Sequence, residues 1–427
     1  MTIERQVGLP NSPESPNIPV VQETPIILGS DNKWLEKYEI NELQLKELLA
    51  EAENHVFSMG TGDTASQIGE IVSKFFVAKM FYVQKKLGLP LYASVIHPPD
   101  ATIQTFHLKF NNCVPEAAKV SWGCNTSGET EFIPAEVDID FCGMVSVGIE
   151  DEVSGSQLAE NILAMKKKLK HLDGWTVDTN CIQPGNHFAN IYRSLNIDGT
   201  NLSRYMGIAH LASDEYRDFL RDYAKSHAVK IETPFGDCLA LIGESAKKYL
   251  EIAREGSIFA IKKRTYIARE IFQSDNILVN DTHYEITSPT SCVIGCNLIK
   301  EDGGSHVIVT KAGGEAYFVK GKMNLSISVL HDNGRNNSPI FDELLEANVL
   351  PHGSGHRFVE DAEFKGVKFT DSGILYVTRL PNGTERVVSH YSGVPTTSRE
   401  SILPQVLKYD LISRDYVTLK PLCSVKV

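Results

Sequence analysis

Apolar positions recur with a helical period in several stretches of the chain. Leu43, Leu45, Leu48, Leu49 and Ala52 predict a helix within 41–57, and Ile68, Ile71, Val72, Phe75, Phe76 and Met80 predict a second over 64–87. A third, over 156–172, places Leu158, Ile162, Met165 and Leu169 on one face and Lys166, Lys167, Lys168 and Lys170 on the other. Two more are predicted over 239–253 and 258–272, the latter carrying Lys262-Lys263-Arg264. The rest has the texture of strands: 91–96, stopped by Pro98-Pro99, then 132–147, and after Asn280 the runs 307–310, 316–319, 325–330 and 374–379. Gly303-Gly304 and Gly313-Gly314 read as hairpin turns or bulges. Prolines 10, 13, 16, 19 and 25 block both helix and sheet ladders, so 1–30 is expected to be a mobile arm and 31–427 the folded body. Helices gathered at the start and middle, strands throughout and no internal repeat predict an α+β fold.

Charge and cysteine usage narrow the function. The 427 residues carry 42 basic and 54 acidic side chains, a net of −12, which excludes a generally basic nucleic-acid coat. Any nucleic acid has to be met by a local cationic site or through metal ions. No apolar run is long enough to span a membrane, and the first residues carry no apolar signal, so a cytoplasmic location without a membrane partner is expected. The eight cysteines are too dispersed for a disulfide framework and read as free thiols or metal ligands.

Four segments set metal-ligand residue types beside glycine or at a strand end: Asp138-Ile139-Asp140-Phe141-Cys142-Gly143-Met144, Gly185-Asn186-His187-Phe188, His210, and His352-Gly353-Ser354-Gly355-His356-Arg357. On a strand, Asp140 and Cys142 face the same side and can share one ion. Taken singly, the pair is better read as a buried thiol beside a surface acid, and His187 as a hydrogen-bonded core residue. The glycines around His352 disfavour a helix, so His352 and His356 are not a helical zinc pair. They suit a loop that exposes an imidazole nucleophile, with Arg357 able to neutralise a phosphate. Gly60-Thr61-Gly62-Asp63-Thr64 lacks the Lys-Ser/Thr of a phosphate loop and is read as a capped turn.

The order of these segments resembles that of the RtcB family of RNA-splicing ligases. That family runs Met-Pro-Asp, Ile-Pro-Ala with Asp-Ile-Gly-Cys-Gly-Met, Gly-Asn-His-Phe, a strand ending in His, His-Asn, His-Gly-Ala-Gly-Arg, and a final lysine. The chain has Pro99-Asp100, Ile133-Pro134-Ala135 with Asp140-Phe141-Cys142-Gly143-Met144, Gly185-Asn186-His187-Phe188, His210, Cys296-Asn297, His352-Gly353-Ser354-Gly355 and Lys426, in that order over about residues 90 to 427.

The resemblance implies a single large α+β domain with a central metal-containing cleft and a GTP- and manganese-dependent RNA ligase of the RNA-repair and tRNA-splicing type. His352 would attack GTP and become guanylylated. The guanylyl group would pass to an RNA 3′-phosphate, which can arise from a 2′,3′-cyclic phosphate, and a 5′-hydroxyl would displace it. Asp140, Cys142, His187, His210 and Cys296 would hold two Mn²⁺ ions, with zinc the rival metal, while Asn186, Asn297 and Lys322 would contact the nucleotide and Lys426 would steady it.

Asp138 competes with Asp140, and His283 competes with Cys296; the register of Cys296-Asn297 with the following Lys300-Glu301 and Val307-Ile308-Val309-Thr310 favours Cys296. Departures fall mainly on guanine and RNA contacts: Asn190 replaces a Glu, Lys322 a Ser, His356 an Arg and Ile402 a Tyr. Two other functions stand beside ligation: a metal-dependent phosphohydrolase or nuclease on the same scaffold, and a catalytically silent RNA-binding protein. The sequence identifies no accessory activating protein.

Overall fold

Helix ends are set by local chemistry that the sequence displays. α1 (Glu42–Asn54) begins where Asn41 and Gln44 exchange side-chain-to-backbone hydrogen bonds. α2 (Thr64–Leu87) begins at Asp63, whose carboxylate accepts from Ser66 N, and ends at Gly88 in the left-handed conformation. The 60–64 segment is thus the capped turn expected. α3 (Gly155–Lys168), α4 (Glu215–His227) and α5 (Glu244–Phe272) follow. The computed structural model describes residues 26–28, 33–103, 113–123, 132–169, 171–177, 182, 187–195, 201–300, 303–370, 373–388 and 395–426.

Three expectations are corrected. The two helices anticipated between 239 and 272 are one 29-residue helix, α5, preceded by a strand at Cys238–Ile242. Gly256 does not break α5; a Cβ there would meet Phe141 Cζ at 2.5 Å, so the glycine admits a close approach. The 325–330 segment is no strand, because Ser326 caps a short helix, Ile327–Asp332. The run 132–147 is interrupted after Phe132–Pro134, since Asp138 and Phe141 adopt positive φ values of 50° and 55° and turn the chain.

A seven-stranded antiparallel sheet frames the site. Its strands are β1 (Gly143–Ile149), β2 (Phe188–Leu195), β3 (Asn201–Leu211), β4 (Ile277–Thr282), β5 (Ser305–Val309), β6 (Ala316–Lys320) and β7 (Val417–Val425), in the order β4-β1-β3-β2-β7-β6-β5. The two edge strands come back together: Asp281 of β4 accepts from His306 Nδ1 of β5 at 2.7 Å, both residues buried, and the sheet is nearly closed. α5 covers β1 and β4, with α3 and α4 packed against it.

A second, five-stranded sheet carries the loops that reach the cleft: Val56–Ser58, Ser94–His97, Ala118–Ser121, Ser291–Ile294 and Tyr284–Ser288. Within the arm expected over 1–30, Ile26–Leu28 pairs in parallel with Val367, Lys368 and Phe369. Helix and strand are thus mixed in one domain, and among the described residues no helix is long and apolar enough to cross a membrane.

Candidate metal centre and cleft

Antiparallel register brings the metal-type residues to one end of the sheet. His210, near the end of β3, pairs with Met144 of β1 on one side and Phe188 of β2 on the other. Cys142 stands immediately before β1, His187 immediately before β2, and His283 immediately after β4, whose Thr282 pairs with Gly143. Lys426 follows β7, which runs antiparallel to β2 and pairs Val425 with Ala189, so it arrives at the same end.

The donor atoms converge. Cys142 Sγ lies 3.3 Å from His187 Nε2 and 3.1 Å from His210 Nε2, and His210 Nε2 lies 3.0 Å from His283 Nε2. Ligand atoms around a first-row metal at 2.0–2.3 Å are about 3 to 3.7 Å apart, so the spacings of Cys142 to His187 and His210 suit a shared cation, while His283 adjoins the group through His210. One imidazole nitrogen carries one proton or one lone pair and cannot satisfy both Cys142 and His283 by hydrogen bonding. The Cys142, His187 and His210 group is therefore able to hold a metal ion.

Electrostatics prepares neutral donors. Burial pulls His187 below its usual pKa, opposed by Asp140 and Asp214. Burial pulls His283 well below it, and the His352, His210 and Arg264 charges push the same way. The Cys142 thiol is held well above its usual pKa by burial and by Asp140, against the pull of Arg264. Binding a cation would reverse this and release the thiol proton.

The acids divide. Asp138 is engaged by Arg217 at 2.9 Å and Arg221 at 2.6 Å and serves as an ion-pair anchor. Asp140 is beside the thiol, its Oδ1 accepting from Cys142 N at 3.0 Å. The two residues do not share a strand face as expected, because the backbone turns at Phe141.

Next to the donors opens a cleft of about 340 Å³, lined among others by Asp100, Glu116, His210, Tyr284, His352 and Lys426. The ring of His352 stacks on that of His283, with centroids 4.4 Å apart. Asp100 is fully buried beneath it: Oδ2 accepts from the backbone N–H groups of His352 and Gly353 and stands 3.2 Å from His352 Nδ1. The ring is not aligned for a linear hydrogen bond, and Asp100 Oδ1 is buried without a partner among the described residues. Burial lowers the His352 pKa, but Asp100 beside the ring, with help from Glu116 and the Gly295 carbonyl, outweighs it and raises it overall. Tyr284 O–H donates to Glu116 at the cleft wall.

Other expected contacts lie elsewhere. Cys296 is fully buried in an apolar cluster with Phe57, Met59 and Ile96, while the imidazole of His283 reaches His210. His283 rather than Cys296 stands against His210, because closure of the sheet, which local register does not reveal, carries the end of β4 to the donors. Asn297 is a buried strand residue whose Nδ2 donates to Pro351 O at 3.5 Å, and Lys322 is an exposed residue paired with Asp410 at 2.6 Å; neither lines the cleft. Asn186 lies outside the described residues.

Asp100 and Arg264 are among the site residues to which the sequence assigns no role. Asp100 was visible only as the acid of Pro99-Asp100. Arg264, placed with two lysines on a charged helix, is fully buried, and its spacing from Ala260, Ile267 and Ile271 is the periodic sign of a core-facing position. No protein-family model matches the chain, and no curated protein matches it.

Proposed function

We propose that this protein is a divalent-metal-dependent RNA ligase that works through a guanylylated His352. The observation that carries the reading is the position of His352: it lies over buried Asp100, in one cleft with His210 of the donor group and with Lys426 from the far end of the chain.

The chain's own residues suit each task. Asp100 beside Nδ1 favours a proton on that nitrogen, which leaves the Nε2 lone pair to attack an α-phosphorus. The Asp100 bonds to the His352 and Gly353 N–H groups fix the loop, so the nucleophile is held before substrate arrives. Lys426 brings a positive charge to the cleft, where a leaving pyrophosphate gains negative charge. Cys142, His187, His210 and His283, with Asp140 beside them, would hold the manganese, and the bound metal would supply Lewis-acid polarisation of phosphoryl oxygens.

Incubation with Mn²⁺ and labelled GTP tests this. A covalent adduct that survives denaturing electrophoresis, is lost in acid as a phosphorus–nitrogen bond must be, and is absent from His352→Ala is expected. A second reading, a metal-dependent phosphohydrolase, draws support from Asn297 and Lys322 lying away from the cleft, which leaves fewer nucleotide contacts than a guanine-selective pocket needs. Absence of any adduct, together with hydrolysis of RNA or nucleotide phosphates, would establish that reading instead.

A further inference from the structure

Arg264 of α5 sits fully buried behind the donor group, and its guanidinium donates to three neutral acceptors: Asn280 Oδ1 at 2.8 Å, Phe141 O at 2.8 Å and Thr282 Oγ1 at 2.5 Å. Phe141 is the residue before Cys142, and Thr282 is the residue before His283. One rigid, planar group therefore grips the chain one residue ahead of two metal-type side chains that come from different strands.

We infer that Arg264 is a positioning residue that sets the separation of Cys142 and His283, and with it the geometry of the metal centre. The inference rests on the reading of Cys142, His187, His210 and His283 as metal ligands and adds to it what holds two of them in place.

Three observations carry it. First, bonds from Nε, Nη1 and Nη2 leave the guanidinium plane no freedom to rotate, so the positions of Phe141 and Thr282 are coupled through it. Second, Phe141 holds a left-handed φ of 55°, unfavourable for an aromatic residue, and Arg264 binds the carbonyl that this turn presents. Third, the sequence leaves room for the clamp: a Cβ on Gly143 would meet Arg264 Cζ at 2.6 Å. The backbone completes the link, since His283 N donates to Cys142 O at 3.0 Å. Partners behind a metal ligand typically change affinity about ten- to a hundredfold when removed.

The test is a Co²⁺ titration of the full chain, read by the thiolate-to-cobalt charge-transfer band and the visible ligand-field bands. Thr282→Val keeps the shape and removes the hydroxyl; Thr282→Ser keeps the hydroxyl. Thr282→Val is expected to bind Co²⁺ about ten- to a hundredfold more weakly with altered ligand-field bands, and Thr282→Ser to behave as wild type. Arg264→Lys, which keeps the charge and loses the fork, should resemble Thr282→Val; should it not fold, the Thr282 pair decides. Thr282→Val with wild-type affinity and spectrum would overturn the clamp while leaving the metal centre standing. A wild-type protein with no thiolate-to-cobalt band would overturn the metal reading and the clamp with it.

Discussion

His210 and His283 face each other through their Nε2 atoms at 3.0 Å, although 73 residues of chain separate them. Both rings are buried, and His283 continues the array by stacking on His352. Metal-type donors and the proposed nucleophile thus form one contiguous stack, so a change to His283 should be felt at both.

That stack separates His283 from Cys296. His283→Ala is expected to lose most of the bound metal, measured by elemental analysis after gel filtration. Cys296→Ala should keep its metal and lose on the order of 1 kcal/mol of stability by leaving a small void in its apolar cluster. Metal loss in Cys296→Ala with retention in His283→Ala would return the ligand role to the cysteine.

Asp100 touches His352 and does not belong to the donor group. Asp100→Asn should therefore retain metal while slowing formation of the GTP adduct on the order of a hundredfold or more. Equal adduct rates in the variant and the wild type would show that the carboxylate does not orient the imidazole.

Part of the acid sensitivity should come from His97. It is fully buried, its Nε2 lies 2.6 Å from Ser73 Oγ and its Nδ1 2.8 Å from Ala117 O. Burial, only partly offset by the Ala117 carbonyl and Asp100, lowers its pKa from 6.5 to about 4. The unfolded chain takes up a proton below about pH 6.5, whereas the folded protein resists until about pH 4. The contribution to stability is therefore complete above the upper value and lost as the pH falls between the two, on the order of 3 kcal/mol. Urea unfolding of His97→Gln across that range should show a flatter acid limb than wild type; parallel curves would assign the acid sensitivity to other groups.

Gly256 offers a stability test with an inverted sign. Glycine to alanine inside a helix ordinarily stabilises by up to about 1 kcal/mol. In Gly256→Ala the new methyl would meet Phe141 Cζ at 2.5 Å and Tyr216 Cβ at 2.9 Å, so a net loss of about 1 to 3 kcal/mol is expected in thermal or chemical unfolding. A more stable variant would mean that Phe141 yields readily.

Local chemistry wrote much of this protein legibly into its sequence. Asn41 and Asp63 cap helices where a capping side chain should stand, and Gly313, with φ of 67°, turns the β5–β6 hairpin between alternating apolar runs. The residue types at 142, 187 and 210 marked candidate metal ligands along the chain, and the fold brings those three together.

What the tertiary structure decided is which of those residues meet. Whether Asp138 or Asp140 stands beside the thiol depended on Arg217 and Arg221 arriving from α4. Whether Cys296 or His283 joins His210 depended on the near-closure of a sheet whose strands pair antiparallel across long stretches of chain. Arg264 could not be told from its lysine neighbours until α5 had a face to bury. Periodicity and capping act over a few residues and are readable along the chain. Register and closure are settled by burial of apolar surface between distant segments, and they alone set the ångström spacings on which the chemistry depends.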